Sequence, residues 1–149
     1  MSKLPNILYL HSHDTGRYIS PYGHKVNTPN LQELAEESVV FKQCFCGNPT
    51  CSPSRACLLT GEYAHSNGML GLAHRGFEMN DYGKHIVHTL RNNGYSSVLL
   101  GIQHIAGAGR EHEIGYDEIV DRSSINNSNG VNDLAPLAFE FSASLLIVA

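Results

Sequence analysis

The sequence predicts an α/β fold with a mainly parallel sheet flanked by helices. Apolar segments typical of strands, 6–10 and 97–102, alternate with segments of helical character. Such alternation implies right-handed crossovers, and therefore parallel strands covered by helices. With 149 residues, of which 42% are hydrophobic and 16% charged, the chain is expected to form one globular unit over residues 1–149.

The first predicted elements are a strand and a helix. Residues 6–10 are an apolar run that ends in the polar stretch 11–16, which predicts a buried strand feeding a loop. Thr28 and Pro29 are typical of an N-cap and a first helical turn. Apolar residues at helical spacing then predict a helix through about residue 38.

Two different segments follow in the middle of the chain. Residues 39–46 are rich in β-formers and predict a second strand. Residues 62–82 contain several glycines and little periodicity, so a long ordered loop is expected there. Long loops in compact domains are often functional.

The next predicted helix spans residues 84–93. Ile86, Val87 and Leu90 are expected to face inward, and Gly94 is the expected C-terminal stop.

The remaining elements complete the alternation. Residues 97–102 predict a strand, 132–141 a further helix, and the apolar run 145–149 a strand or a cut end. That run is far shorter than the roughly 20 residues that cross a membrane, so no membrane is expected as a partner.

The net charge and the N-terminal sequence indicate which partners and which location to expect. The net charge is −4 and no dense Lys/Arg run appears, so nucleic acid is not expected as a partner. Residues 1–5 lack the charged, apolar and small-residue succession of a secretory signal. A cytoplasmic protein, or a mature form whose leader is absent, is therefore expected.

The four cysteines at positions 44, 46, 51 and 57 are few and locally bunched, which favours reduced thiols over a disulfide framework. The one-residue spacing of Cys44 and Cys46 is unlike that of structural zinc sites. In the strand expected over 39–46, these two residues would share one face and pack.

The run Cys-Ser-Pro-Ser-Arg at 51–55 is the most informative motif. Pro53 suits a first helical turn, and Thr60-Gly61 suits a helix end. Cys51 is therefore expected just ahead of a helix N-terminus, where backbone N–H groups and the helix dipole stabilise an anion. Arg55, about one turn later, adds a positive charge.

Further polar groups are expected at the carboxyl ends of the strands, where open parallel sheets form their sites. Asp14 follows the first strand with His13, and His104 follows the strand at 97–102 with Gln103. The Asp14 carboxylate is a hard ligand suited to calcium or magnesium. Asp-Thr-Gly equally suits an ordinary turn, and the residues alone leave both readings open.

The run at 51–55 resembles the signature of the sulfatase family. Residues 5–10 look like the first strand of that family, 27–31 like the entry to its first helix, and 60–68 like the segment after its nucleophile. Residues 65–72 are particularly similar to the N-sulfoglucosamine sulfohydrolase (sulfamidase) branch. The likeness covers roughly residues 5–120.

This resemblance implies an alkaline-phosphatase-like α/β fold and hydrolysis of a sulfuric ester or sulfamate. The family's cysteine is oxidised by a formylglycine-generating maturation enzyme, so Cys51 is the implied nucleophile and would also bind a divalent cation, usually Ca²⁺, with Mg²⁺ as the other option. By position, Asp14 would be a metal ligand, Arg55 would hold the modified residue, and His104 would lie close to the bound sulfate. The implied substrate is a sulfated small molecule or carbohydrate.

The sequence also departs from the family pattern. His13 replaces the first of two paired aspartates, which would make the metal shell mixed, or would make His13 a support for the shell or a cap of the loop. Ile102 replaces the lysine of a Gly-Lys-x-His stretch. His74 and Arg75 lie in the glycine-rich loop and are candidate substrate-binding residues.

The remaining metal ligands of the family, an aspartate with an asparagine or histidine, have no matching context in this sequence. The chain is therefore expected to be the N-terminal part of a sulfatase-like catalytic domain that lacks part of its metal site. Two alternatives stay open. One is a phosphonate monoester or phosphodiester hydrolase of the same superfamily, and the other is a non-catalytic sulfatase-like fragment.

Overall fold

The computed structural model describes residues 4–120 and the strand at 144–148. The chain divides into two compact units, the first formed by residues 1–11 and 46–149 and the second by residues 12–45. The helix expected over 132–141 lies outside the described residues. Among the described residues, no helix combines the length and apolarity needed to span a bilayer.

The first unit contains a four-stranded parallel sheet. Its strands are β1 (Ile7–Leu10), β2 (Ser96–Leu100), β3 (Glu118–Val120) and β4 (Ser144–Val148), in the order β1-β4-β2-β3. The register pairs Ile7 with Leu145, which in turn pairs with Ser97. The predicted parallel α/β architecture is confirmed, and the C-terminal apolar run is a strand.

The strand β1 is only half buried, contrary to the expectation of a buried strand. Leu8 and Leu10 are 55% and 64% exposed, whereas Ile7 and Tyr9 are partly buried and pack against the core. Side chains alternate along a strand, so one face of β1 packs against the core and the other face is exposed.

The described helices of the first unit are α2 (Cys51–Thr60), α3 (Ala64–Asn67) and α4 (Ile86–Asn92), with 3₁₀ turns at Ala73–Arg75, Tyr82–Lys84 and Glu111–Ile114. The expected loop 62–82 therefore contains two short helical turns. Val87 is fully buried, as expected, but Ile86 is 41% exposed and does not face inward. That expectation was wrong because adjacent helical residues point about 100° apart, and the face of α4 that packs on the core carries Val87.

The core of the first unit lies between β2 and the helical segments. Its cluster of buried residues comprises Ala56, Met69, Ala73, Met79, Val87, Leu99, Ile105, Ala106, Ile114 and Tyr116. Burial of these apolar side chains away from water is the main favourable contribution to folding.

The second unit contains one helix, α1 (Pro29–Glu36), and a 3₁₀ turn at Ser20–Tyr22. The predicted helix start at Pro29 is confirmed. The Thr28 hydroxyl does not cap the helix, and instead accepts a hydrogen bond from the Ser20 backbone N–H at 2.9 Å. This bond ties the 3₁₀ turn to the beginning of α1.

The strand predicted over residues 39–46 is wrong, because these residues form turns and irregular backbone. Phe41 and Phe45 are 70% and 86% exposed. A β-rich run becomes a strand only where a neighbour pairs with it, and none of the described strands pairs with this segment. Cys44 and Cys46 are exposed free thiols and do not pack on a strand face.

Candidate functional site

The helix α2 presents Cys51 at its N-terminus. Cys51 is the first helical residue and is partly buried, Pro53 lies in the first turn, and Gly61 ends the helix with a left-handed φ of 70°. The N-cap residue Thr50 makes no side-chain capping bond. The helix start therefore keeps backbone donors and the positive dipole end beside Cys51, which suits an anion.

Arg55 lies one turn further along α2, on the face it shares with Cys51 because their spacing is i, i+4. Its side chain is almost completely buried, at 6% exposure, and its Nη1 donates a hydrogen bond to the Ile102 carbonyl at 2.9 Å. The guanidinium therefore connects the helix that carries Cys51 to the loop that carries His104.

The Arg55 guanidinium lies in partly apolar surroundings. It shares the lining of a small pocket with Tyr9 and Tyr116. Burial raises the pKa of both phenols, and the Arg55 charge acts in the opposite direction. Both tyrosines therefore stay neutral, and their hydroxyls remain hydrogen-bonding groups next to a buried cation.

The loop after β2 places His104 in an unusual backbone conformation. His104 is partly buried and has a φ of 59°. The neighbouring Gln103 side chain accepts hydrogen bonds from the backbone N–H groups of Ile105 and Ala106, the latter at 2.7 Å. Its amide also donates to the Ala106 carbonyl at 3.1 Å. The backbone that presents His104 is thus fixed by its own sequence neighbour.

The turn that carries His74 and Arg75 is attached to the beginning of α2. Both side chains are exposed, and the turn's first residue, Ala73, donates its backbone N–H to the Ser52 hydroxyl at 3.0 Å. Ser52 is fully buried and directly follows Cys51. Two loops are therefore hydrogen-bonded to the N-terminal half of α2, through Ser52 and Arg55.

His13 and Asp14 belong to the second unit and are described within it. The His13 Nδ1 and Asp14 Oδ2 atoms are 3.1 Å apart, and the two side chains are 45% and 78% exposed. Asp14 has a φ of 53°, in the left-handed region that aspartate tolerates in turns. The turn reading and the ligand reading of Asp14 are thus compatible.

The side chains of Asp14 and His13 suit different metal ions. Ca²⁺ and Mg²⁺ take oxygen ligands, so the Asp14 carboxylate fits them. An imidazole nitrogen suits zinc, copper, iron or nickel better. The 3.1 Å contact gives His13 a second use, because an imidazole that donates to a ligating carboxylate fixes its orientation.

Comparison with known proteins identifies the family. The sulfatase family model matches residues 5–140 of the chain. The chain belongs to the sulfatase family. The resemblance seen in the run at 51–55 and the predicted fold class are thereby confirmed.

Individual sulfatases are similar over most of this chain. An N-acetylglucosamine-6-O-sulfatase of Bacteroides thetaiotaomicron is 33% identical over 106 residues, 70% of this chain and 18% of the relative. The Homo sapiens N-sulphoglucosamine sulphohydrolase is 35% identical over 103 residues, 67% of this chain and 20% of the relative. The Sus scrofa N-acetylgalactosamine-6-sulfatase is 33% identical over 130 residues, 76% and 24% respectively. The chain thus spans about a fifth to a quarter of the length of these sulfatases.

Two residues to which the sequence analysis assigned no role shape this part of the sulfatase fold. Ser52 anchors the 73–75 turn, and the Gln103 side chain braces the backbone around His104. The position of Ser52 inside the motif at 51–55 was a signal for the first. The sequence holds no comparable signal for the second, since a glutamine before a histidine is ordinary.

Proposed function

We propose that this protein serves the hydrolysis of sulfate esters or sulfamates of carbohydrates, with Cys51 as the precursor of a formylglycine nucleophile. The observation that carries the proposal is the place of Cys51 as first residue of α2, with Arg55 one turn later, in a chain of the sulfatase family. The relatives named for N-acetylglucosamine, N-sulphoglucosamine and N-acetylgalactosamine favour a sulfated amino sugar as the substrate class.

In this proposal α2 binds the sulfate group. Backbone N–H groups at the helix start and the positive end of its dipole hold the sulfuryl oxygens. Arg55, buried and fixed by its bond to the Ile102 carbonyl, adds positive charge from a position that costs little reorganisation. Formylglycine, generated at Cys51 by a maturation enzyme, would supply an oxygen nucleophile that a thiol does not offer.

His104 has the chemistry to move a proton at the leaving group. An imidazole changes its charge near neutral pH and can give a proton to the departing oxygen or nitrogen of the substrate. The exposed side chains of His74 and Arg75 lie on a turn attached to Ser52, which supports their role in binding the rest of the substrate.

A divalent cation, with Ca²⁺ as the proposed ion and Mg²⁺ as its alternative, would be held by Asp14 together with the modified Cys51. The cation would neutralise charge on the sulfuryl oxygens. His13 would either ligate it directly or orient the Asp14 carboxylate, and the 3.1 Å contact between the two side chains supports the second role.

The first test concerns the modification. The chain is co-expressed with a formylglycine-generating enzyme, and the peptide containing Cys51 is examined by mass spectrometry. We expect the aldehyde at this position in the natural sequence and in the control variant Cys46→Ser, which removes an exposed thiol, but not in Cys51→Ser. An unmodified Cys51 under these conditions would count against the proposal and favour a non-catalytic protein.

The second test concerns the reaction. Turnover of an aryl sulfate and of an aryl phosphonate ester is compared for the modified full gene product, with Cys51→Ser as the inactive control. Preference for the sulfate supports the proposal. Preference for the phosphonate would assign the protein to phosphorus chemistry instead.

A further inference from the structure

His104 has an unusual, left-handed backbone conformation. Among the described residues other than glycine, only Asp14 and His104 have a backbone in the left-handed region. The φ of His104 is 59°. Side chains disfavour this region, and it persists where surrounding contacts impose it. The contacts that impose it at His104 are therefore a determinant of where this imidazole lies.

The hydrogen bonds of Gln103 surround the His104 backbone. The Gln103 carbonyl oxygen accepts from the N–H groups of Ile105 and Ala106, the two residues after His104, while its amide nitrogen donates to the Ala106 carbonyl. The side chain thereby reaches across His104 and closes the chain on itself. Two of the three bonds use the side-chain oxygen and hold the two residues directly after His104, and a carboxylate oxygen could accept the same two bonds.

The two ends of this loop are fixed from outside. The Ile102 carbonyl accepts from Arg55, and the Ile105 carbonyl accepts from the Tyr82 hydroxyl at 3.0 Å. Ile105 is completely buried. The Gln103 side-chain bonds therefore lie between two fixed points of the loop.

We propose that Gln103 is the positioning residue for His104, setting the left-handed backbone from which the imidazole reaches the leaving group. The inference rests on the proposed function for the use made of His104, but the conformational part stands on hydrogen bonds alone. Gln103 does not touch substrate in this proposal, and it acts through the backbone of its neighbour.

The test compares Gln103→Met, Gln103→Glu and the control Gln32→Met by NMR of the isotopically labelled chain. Methionine keeps the length of the side chain and removes all three bonds, whereas glutamate keeps the acceptor for both N–H groups. Gln32 is a glutamine of α1 whose amide donates to Glu36, remote in sequence from the loop. The readout is the intraresidue HN–Hα NOE of His104, which is strong at positive φ because the two hydrogens are close.

We expect the strong NOE in the natural chain, in Gln32→Met and in Gln103→Glu, and its loss in Gln103→Met. A folded Gln103→Met variant that keeps the NOE would overturn the proposal. If Gln103→Met does not fold, Gln103→Glu decides, because loss of the NOE there contradicts the positioning role and its retention supports it.

A kinetic measurement on the modified full gene product separates this inference from the proposed function. Misplacing the imidazole is expected to lower kcat of Gln103→Met by roughly 10- to 100-fold, with KM nearly unchanged. Rescue toward the natural kcat in Gln103→Glu supports positioning, and equal loss in both variants contradicts it. Absence of sulfatase turnover in the natural protein would refute the proposed function and leave the NMR result to decide the role of Gln103.

Discussion

His85 should make the stability of the fold depend on pH. Its ring is completely buried, and its Nδ1 accepts a hydrogen bond from the Val87 backbone N–H at 3.2 Å, which caps the start of α4. Because Nδ1 accepts, the proton of the neutral ring resides on Nε2, which lies 3.5 Å from the Tyr116 hydroxyl. Protonation of Nδ1 would abolish the cap and place a charge in the core.

The size of the effect follows from the pKa of His85. Burial, and secondarily the charge of His88, lower this pKa from 6.5 to about 4. The unfolded chain therefore binds the proton more readily, and folding stability, fully present above pH 6.5, is lost as the pH falls toward 4. Complete titration corresponds to about 3 kcal/mol, and the change between about pH 7 and pH 5 to roughly 2 kcal/mol.

The assay is urea unfolding of the chain at about pH 7 and pH 5, with His85→Asn as the variant. Asparagine is a good N-cap residue without a titrating ring. Over this pH interval the free energy of unfolding of His85→Asn should therefore fall by roughly 2 kcal/mol less than that of the natural chain. The control His74→Asn removes an exposed histidine and should leave the pH dependence unchanged. Equal pH dependence in His85→Asn and the natural chain would refute the reasoning.

Three further substitutions probe the surroundings of the site. Ser52→Ala leaves the buried N–H of Ala73 without its acceptor and should lower the free energy of unfolding by about 1–3 kcal/mol in urea titrations. Gly68→Ala should lower the melting temperature by several degrees, since φ is 87° there and the added Cβ would lie 2.3 Å from the Asn80 Oδ1 atom. Arg55→Met removes a charged hydrogen bond to the loop after β2 and should increase amide hydrogen exchange in that loop, whereas unchanged exchange would argue against the connection.

The parts of the fold that the sequence predicts depend on local signals. Pro53 in a first turn and Gly61 at a left-handed terminus define α2, and Pro29 in a first turn defines the start of α1. These residues act through their own backbone preferences, which hold in any surroundings. The strand β2 was likewise marked by an apolar run between polar residues.

The errors arise where a neighbour in space decides. Residues 39–46 have the composition of a strand, but within the described part of the chain no strand pairs with them. The strand β3, with only three residues, is too short for periodicity to reveal, and it forms because β2 supplies its hydrogen bonds. Ile86 was misplaced because adjacent helical residues point about 100° apart, and the packing of the helix on the core decides that Val87 rather than Ile86 is buried.

The candidate site likewise contains residues that local sequence predicts and contacts that only the folded chain creates. The motif at 51–55 marks Cys51 and Arg55 through their spacing, which is a local property. The bond of Arg55 to the Ile102 carbonyl joins residues 47 positions apart, and the bond from Ala73 to Ser52 joins residues 21 positions apart. Neither contact can be predicted from sequence spacing. Only the structure shows how the loops attach to α2.

The inner position of β4 has a consequence for how the polypeptide acquires its shape. On the ribosome, β1 leaves the exit tunnel well before its partner β4, which follows β2 and β3 in the chain, and β2 also pairs with β4. Pairings between such distant segments form slowly, and until they form the nascent chain displays open strand edges. Assistance by a chaperone during synthesis would therefore matter more for this protein than for one whose sheet is built in chain order.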